Sequence, residues 1–343
     1  MAIVYERGII CVMILLWTVV FIVSLGVLVR GADWLIDAAE RIGLAIGLSP
    51  FIVGVTIVGI GTSLPELVSS IVASSQGLHT VPVANAVGSN ITNIFLVVGL
   101  AALVSRRIEV EKDLIDLDLP LFASVTGLFL LMAYDGKITL FESVILLVGY
   151  GIYMIYAARN RDASTVKNIV KTLPVPTKAP LWRRLLKQRE AKRPPYGRDV
   201  LLLIVGAILL GVGANYVVVS LVQLSELLGI AAGVITIVAV AFGTSLPEVT
   251  VTLKAAKRGQ AEVALGNIIG SCVFNILTVV GVSGLITTLE LDSQTLSIGL
   301  PFLAGASLLF VISGISRRIH AWEGWMYLLI YVFFIGQIFS SLR

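Results

Sequence analysis

The chain has 343 residues, of which 57% are hydrophobic and only 13% charged, and its mean hydropathy is +0.98. Soluble domains carry about 25% charged residues, so this composition excludes a cytoplasmic enzyme, a disordered protein and a nucleic-acid binder. The net charge is +4, and the two cysteines, Cys11 and Cys272, lie in apolar runs without a CxxC pattern. They indicate neither a disulfide framework nor a cysteine metal site. The sequence predicts an integral membrane protein.

Apolar runs of about 20 residues, the length that a transmembrane helix requires, recur along the whole chain. The first run, 8–29, is too long for the hydrophobic region of a signal peptide, and the residues after it predict a helix that continues beyond the membrane. We therefore predict an all-α polytopic membrane protein with ten transmembrane helices. The predicted spans are 8–29, 50–73, 81–104, 119–134, 138–158, 200–222, 230–253, 262–286, 296–316 and 322–341.

The segment 159–199 differs in kind from the rest of the chain. It holds twelve basic and three acidic residues, and five of the eleven prolines. We predict a first five-helix repeat in 1–158, a basic cytoplasmic linker in 159–199 and a second, inverted five-helix repeat in 200–343. Within the linker, residues 181–188 fit a basic amphipathic helix on the membrane surface and fit a solvated loop equally well.

Basic residues are distributed very unevenly between alternate loops. If the linker is cytoplasmic, 22 of the 25 basic residues lie on the cytoplasmic side, and only Arg7, Lys137 and Arg343 lie outside. Cytoplasmic loops carry the excess of Lys and Arg in membrane proteins, so both termini are predicted to be extracytoplasmic. The pattern predicts a multi-pass protein of the plasma (inner) membrane. It also supports ten spans, because omitting one helix would reverse the side of every later loop.

A shift of 182 residues aligns the chain with itself. The hexapeptide GTSLPE at 61–66 recurs at 243–248, and 18 of the 43 positions in 61–103 are identical to their counterparts without a gap. Because each half has five spans, the second copy must enter the membrane in the opposite orientation. Inverted repeats with interrupted helices and a site at the midplane are typical of secondary transporters. A duplicated membrane scaffold without transport is the alternative.

Two acids occupy equivalent positions in the repeats. Glu66 and Glu248 are the only carboxylates deep inside predicted spans, and no Lys or Arg lies at comparable depth. A charged residue at the centre of a bilayer costs roughly 2.5–3.5 kcal/mol or more unless it is paired or coordinated. The simplest partner is a bound cation. Pro65 and Pro247, which directly precede the acids, lack an N–H and each free a backbone carbonyl oxygen nearby.

Polar residues accompany each acid at helical spacing. Thr62 lies four residues before Glu66, with Ser63 beside it, and Ser89 and Asn93 have the same spacing on the next span. Taken singly, such hydroxyls more often bond to the carbonyl four residues earlier. Carboxylate, hydroxyl, amide and carbonyl oxygens together suit a hard cation, and Ca²⁺ takes about 6–8 of them. The second repeat carries the equivalent residues Thr244, Ser245, Glu248, Ser271 and Asn275.

These two blocks, GTSLPE…ANAVGSNITN at 61–93 and GTSLPE…GNIIGSCVFN at 243–275, resemble the paired alpha-repeats of the calcium/cation antiporter superfamily. The resemblance is closest to its small prokaryotic sodium/calcium exchangers. It implies a core of spans 2, 3, 7 and 8, across which spans 1 and 6 slide as the gate. It also implies, as metal ligands, Thr62, Ser63, Glu66, Ser89, Asn93, Thr244, Ser245, Glu248, Ser271 and Asn275, with the backbone carbonyls of Gly59 and Ala241.

The resemblance implies an antiporter that exchanges Na⁺ for Ca²⁺ by alternating access at a midplane site, without a cofactor and without enzymatic activity. An H⁺- or K⁺-coupled calcium or divalent cation antiporter on the same fold is the alternative. Some relatives, including potassium-dependent ones, carry Asp where this chain has Asn275, which argues against potassium coupling. The motifs GNIIG and ANAVG lack the acid of the GNxxE motif found in proton-coupled relatives.

Other classes of function have less support in the sequence. An ion channel needs a continuous pore, whereas a mirrored pair of acids suits an occluded binding centre. A Ser nucleophile in GTS would need a His, but His79 and His320 are predicted in loops on opposite sides of the membrane. The expected partners are therefore Ca²⁺ and Na⁺ as substrates and membrane lipid, with no nucleic acid and no obligate protein partner.

Overall fold

The computed structural model describes residues 2–105, 107–109, 118–159, 197–227 and 245–341. Helices dominate both halves of the chain. In the first half the helices are α1 (Ala2–Ile46), α2 (Pro50–Thr62), α3 (Leu64–Ser75), α4 (Val81–Ser105), α5 (Leu119–Met132) and α6 (Leu140–Arg159). In the second half they are α7 (Gly197–Leu227), α8 (Leu246–Lys257), α9 (Ala261–Ile286), α10 (Thr295–Ile315) and α11 (Ala321–Ser341).

The helices confirm an all-α polytopic membrane protein. Within the described residues, seven helices are long and apolar enough to cross a membrane, and α2 with α3 makes an eighth span if this bent pair is counted as one. Helix α5, with the turn that follows it, is a shorter apolar helix. The predicted span 230–253 is described only from Ser245 onward, as that residue and helix α8. The number of ten spans therefore stays a prediction. The structure of most of the linker, including 181–188, also stays a prediction, because 160–196 lies outside the described residues.

The helices begin where the sequence supplies a start signal. The Ser49 side chain accepts a hydrogen bond of 3.2 Å from the Ile52 N–H, and Pro50 occupies the first turn of α2. A hydroxyl cap followed by proline suits a helix N-terminus. The hydroxyl accepts a hydrogen bond from a backbone N–H that has no partner within the helix, and proline has no N–H that would need one. Helices α3, α4 and α8 also carry proline in the first turn.

Helix α1 is 45 residues long and continues without a break beyond the predicted span 8–29, as the sequence predicted. It packs against α7, which has 31 residues. Glycines allow their backbones to touch: a Cβ added at Gly206 would lie 2.8 Å from the Leu35 nitrogen, and one added at Gly31 would lie 2.8 Å from the Leu210 nitrogen. Small residues at such crossings let membrane helices approach closely.

The centre of the molecule is formed by α4 and α9. In their most apolar windows of 18 residues, 78% and 89% of the residues are buried, against 11% in α1. Helix α2 packs against α9, and α8 packs against both central helices. A helix that is apolar all round belongs in the interior, whereas α1 exposes its apolar side chains as a lipid-facing helix does. The four innermost helices are thus the ones that carry the repeated motifs.

Two short antiparallel ribbons join loops that are distant in sequence. Strand β1 (Arg107–Glu109) pairs with β4 (Arg318–His320), and β2 (Lys137–Ile138) pairs with β3 (Leu289–Glu290). The sequence analysis predicted none of these strands, because runs of two or three residues have no readable alternation. The ribbons bind the loops after α4 and α10 to each other, and the loops after α5 and α9 to each other.

Candidate functional site

The first GTSLPE motif interrupts a helix at its serine, Ser63, and in the second motif a helix begins directly after the equivalent Ser245. Ser63 has φ −92° and ψ 7°, and Ser245 has φ −87° and ψ 2°, so the two serines have the same backbone conformation. The axes of α2 and α3 differ by 43° across the break at Ser63. Both prolines stand in the first turn of the helix that follows. Glu66 and Glu248 lie in those first turns, where the unpaired N–H groups of a helix start favour a negative charge.

The second repeated irregularity is a π-helical segment in each central helix. It covers Thr92–Val98 in α4 and Asn275–Val279 in α9. Asn93 and Asn275, the paired amides of the repeats, lie at or next to the start of these segments. Such π-bulges are rare and often occur at functional sites, because they displace a side chain from the regular helical ladder. The sequence did not predict them, since a π-bulge has no composition of its own.

A hydrogen bond joins the break at Ser63 directly to the first turn of α8. The Ser63 hydroxyl donates to Glu248 Oε1 at 3.0 Å, and both side chains are fully buried. The side chains of Thr62 and Ser271 also lie close to the Glu248 carboxylate. Glu248 Oε2 has no hydrogen-bond donor within the described part of the chain. Side chains from both copies of the repeated sequence therefore lie close to one carboxylate in the interior of the protein.

Oxygen atoms are crowded next to this carboxylate. Thr62 Oγ1 lies 3.1 Å from Asn267 Oδ1, 3.2 Å from Ser271 Oγ and 3.3 Å from the Gly59 carbonyl oxygen. The Ser271 hydroxyl is also 3.3 Å from that Gly59 oxygen. Two hydroxyls bring only two protons, so these oxygens present more acceptor sites than donors can satisfy. An arrangement with surplus oxygens suits a hard cation such as Ca²⁺ or Na⁺.

The predicted ligands that the structure describes are all buried. The hydrogen bonds bring together Gly59, Thr62, Ser63, Glu248 and Ser271, while Ser89 and Ser245 line a common cavity of about 220 Å³ between α4, α10 and α11. Glu66, Asn93 and Asn275 are fully inaccessible to solvent. Thr244 and Ala241 lie outside the described residues. The predicted ligands described are Gly59, Thr62, Ser63, Glu66, Ser89, Asn93, Ser245, Glu248, Ser271 and Asn275.

Two equivalent amides near the site were missing from the predicted ligands. The fully buried Asn267 donates from Nδ2 to Thr252 Oγ1 at 2.9 Å, which turns Asn267 Oδ1 toward Thr62. The equivalent Asn85, which is half-buried, donates from Nδ2 to Ser70 Oγ at 3.1 Å. The signal was present in the sequence, since Asn85 and Asn267 are identical under the repeat shift. The distance of Asn267 from Thr62 along the chain concealed that the two side chains are in contact.

Comparison with known proteins gives the same family from sequence and from structure. The family model described as "Sodium/calcium exchanger protein" matches residues 16–159 and 199–339, which together are most of the chain. The chain belongs to the sodium/calcium exchanger family. The exchanger is therefore a multi-pass cation/calcium antiporter and not an enzyme, and Ca²⁺ and Na⁺ are the substrates of its family.

Individual relatives cover nearly the whole exchanger. It is 32% identical to sodium/calcium exchanger MaX1 of Methanosarcina acetivorans, over 93% of this chain and 97% of that protein. It is also 32% identical to putative antiporter CaxA of Alkalimonas amylolytica, over 94% and 99%. Its fold is similar to that of the sodium-calcium exchanger NCX_Mj soaked with Na⁺ and Sr²⁺, with a TM-score of 0.77, 30% identity, and coverage of 94% and 98%.

Proposed function

We propose that the exchanger moves Ca²⁺ against Na⁺ by alternating access at one site between the two repeats. The observation that carries this proposal is the buried hydrogen bond from Ser63 of the first repeat, at the break between α2 and α3, to Glu248 of the second, in the first turn of α8. The ligands proposed are those that the sequence predicted. Two carboxylates carry a charge of −2, so one Ca²⁺ neutralises the site and Na⁺ ions competing for the same oxygens do so in its place.

Competition for shared ligands is what produces exchange. The oxygen-rich cluster of Gly59, Thr62 and Ser271 beside Glu248 can serve either ion, because both are hard cations. The empty site would hold buried negative charge that the bilayer interior disfavours. An ion-free exchanger is therefore expected to change orientation poorly, which limits leak. With an inward Na⁺ gradient, the proposed direction is Ca²⁺ export.

Loop contacts support the proposed topology of ten spans in two inverted repeats, with 1–158 and 200–343 as the halves. The charge pattern assigns the loops joined by β1 and β4 to the cytoplasm, and those joined by β2 and β3 to the outside. His79 contacts Thr287 between two further loops assigned to the outside, at 3.0 Å. Arg41 pairs with Asp199 at 2.7 Å between two segments assigned to the cytoplasm. Each contact joins segments with the same proposed side.

Ion pairs connect the long helix α1 to the core at the proposed cytoplasmic end. Asp33 lies 2.6 Å from Lys254 and 2.7 Å from Arg258, and Asp37 lies 2.6 Å from Arg258. The Lys254 ammonium also donates to the Val29 carbonyl at 2.6 Å. If α1 and α7 slide across the core as the gate, these contacts must break in each transport cycle. We propose that they hold the cytoplasmic side of the site closed in this conformation.

Arg258→Gln is expected to make the cytoplasmic side open more often, because it removes two of these ion pairs. Partly exposed pairs contribute about 0.2–1 kcal/mol each, so the two pairs together contribute about 0.4–2 kcal/mol, and the open population should rise about twofold to thirtyfold. The native thiol of Cys272 is fully buried in the core and reports opening. The measurement is the rate of Cys272 labelling by a charged thiol reagent in inside-out vesicles, in a Cys11→Ser background.

Lys257→Gln is the matched control. It removes an equal charge from the residue next to Arg258, and the Lys257 amine takes part in none of the described ion pairs. Its labelling rate should stay within about twofold of the parent. Equal acceleration by Lys257→Gln and Arg258→Gln would show a general charge effect and contradict the role of the ion pairs.

The proposed function is tested by ⁴⁵Ca²⁺ flux into proteoliposomes that contain the purified exchanger. An outward Na⁺ gradient is expected to drive uptake that is absent from protein-free liposomes. Separate arms impose a pH gradient or a K⁺ gradient without Na⁺, which tests the H⁺- and K⁺-coupled alternatives. Uptake driven by protons alone, with no response to Na⁺, would contradict sodium coupling.

A further inference from the structure

The side-chain amide of Asn90, on α4, lies between two predicted ligands in sequence and contacts α9. Asn90 stands between Ser89 and Asn93 in sequence and is fully buried. Its Nδ2 donates to the backbone carbonyl of Cys272 at 3.0 Å. Its Oδ1 accepts a hydrogen bond of 3.2 Å from Asn275 Nδ2. Asn90 therefore connects the backbone of α9 to a candidate ligand on the same helix.

The orientation of both amides follows from the chemistry of the carbonyl. A backbone carbonyl oxygen only accepts, so Asn90 must present its NH₂ group to Cys272 and its Oδ1 on the other side. That oxygen requires a donor, so Asn275 must present its own NH₂ group to Asn90. The Oδ1 of Asn275 is left facing away from Asn90. It is buried and has no hydrogen-bond donor among the described residues.

The equivalent contact in the other half of the repeat is different. Under the shift of 182 residues, the counterpart of Asn90 is Cys272, and the counterpart of Asn275 is Asn93. The Cys272 side chain lies next to Asn93, but neither amide atom of Asn93 has a hydrogen-bond partner within the described ranges. A thiol is only a weak donor and a weak acceptor, so it cannot hold an amide as Asn90 does.

We propose that Asn90 is a positioning residue that fixes Asn275 with its carbonyl oxygen available to the ion. This inference rests on the proposed function, because it assigns Asn275 as a ligand of the transported ion. The two symmetric amides then differ in what holds them. Asn275 is held by the amide of Asn90, whereas the equivalent position next to Asn93 is occupied by the thiol of Cys272.

Asn90→Ala is expected to raise the half-saturating Ca²⁺ concentration for Na⁺-driven uptake about tenfold, because Asn275 is no longer held in one orientation. The maximal rate at saturating Ca²⁺ should stay within about twofold. The decisive measurement is a double-mutant cycle with Asn275→Ala. If Asn90 acts through Asn275, adding Asn90→Ala to Asn275→Ala should not raise the half-saturating concentration any further.

A general loss of packing would behave differently from this positioning role. It would lower the maximal rate or the yield, or it would raise the half-saturating concentration equally in both backgrounds, and any of these results for a folded protein overturns the proposal. If Asn90→Ala does not fold, Asn90→Leu keeps the volume of the side chain and enters the same cycle with the same expected outcomes. Absence of Na⁺-driven uptake in the parent protein would overturn the proposed function instead, before any variant is compared.

Discussion

Glu248→Gln is expected to abolish Na⁺-driven ⁴⁵Ca²⁺ uptake, and Glu66→Gln to do the same. Each substitution keeps the size of the side chain but removes one of the two charges that we propose the site offers to Ca²⁺. A pair of unit charges at 4 Å contributes about 4 kcal/mol at an effective dielectric constant of 20, and more for a divalent ion. We therefore expect uptake to fall by about 100-fold or more. The measurement is initial uptake in proteoliposomes with matched protein content.

The control for these variants is Glu290→Gln, which removes an equal charge from an exposed position on strand β3. It should transport within about twofold of the parent. If both Glu66→Gln and Glu248→Gln transport at near-normal rates, the acids are not ligands and the proposed site is wrong. Loss in only one of them would show that the two repeats contribute unequally and would contradict a symmetric pair.

Gly270→Ala is expected to disrupt the crossing of α2 and α9. A Cβ at this position would clash with the Val55 carbonyl oxygen, which belongs to the backbone and cannot turn aside. Overpacking a core typically costs about 1–3 kcal/mol, and the cost is higher when two backbones must separate. Separation would also pull Ser271 away from Thr62, which now lies 3.2 Å away. We expect a lower unfolding temperature and at least a tenfold loss of uptake.

Gly151→Ala provides the comparison on a helix of the periphery. A Cβ at Gly151, on α6, meets no atom within 4 Å. This variant should keep both its unfolding temperature and its transport rate, because alanine suits a helix interior at least as well as glycine. Full transport by Gly270→Ala would mean that the two helices are not in contact in the active protein.

The fold was predictable where composition and periodicity determine it. The long apolar runs specified the membrane helices, and the repeated GTSLPE motif, with its proline, specified an interruption that occurs at Ser63 and is matched by a helix start after Ser245. The ribbons between loops, such as β2 with β3, were not predictable. They depend on which loops the helices bring together, and no local pattern records that.

The candidate site was predictable only as far as the symmetry of the repeats extends. Identity between the copies selected Ser63, Glu248 and Ser271, which the structure places in one cluster. The role of Asn90 was not predicted, because its counterpart is Cys272 and the comparison of the repeats selects only identical residues. Its role depends on the crossing of α4 with α9 and on the direction of one carbonyl, which only the three-dimensional structure supplies.

Equilibrium binding of ⁴⁵Ca²⁺ to the purified exchanger in detergent, titrated with Na⁺, tests the shared site most directly. The predicted result is complete displacement of Ca²⁺ by Na⁺ in the parent protein, and no saturable Ca²⁺ binding in the double variant Glu66→Gln with Glu248→Gln. Bound Ca²⁺ that Na⁺ does not displace, or Ca²⁺ binding of parental affinity in the double variant, would contradict a single site formed by the two buried acids.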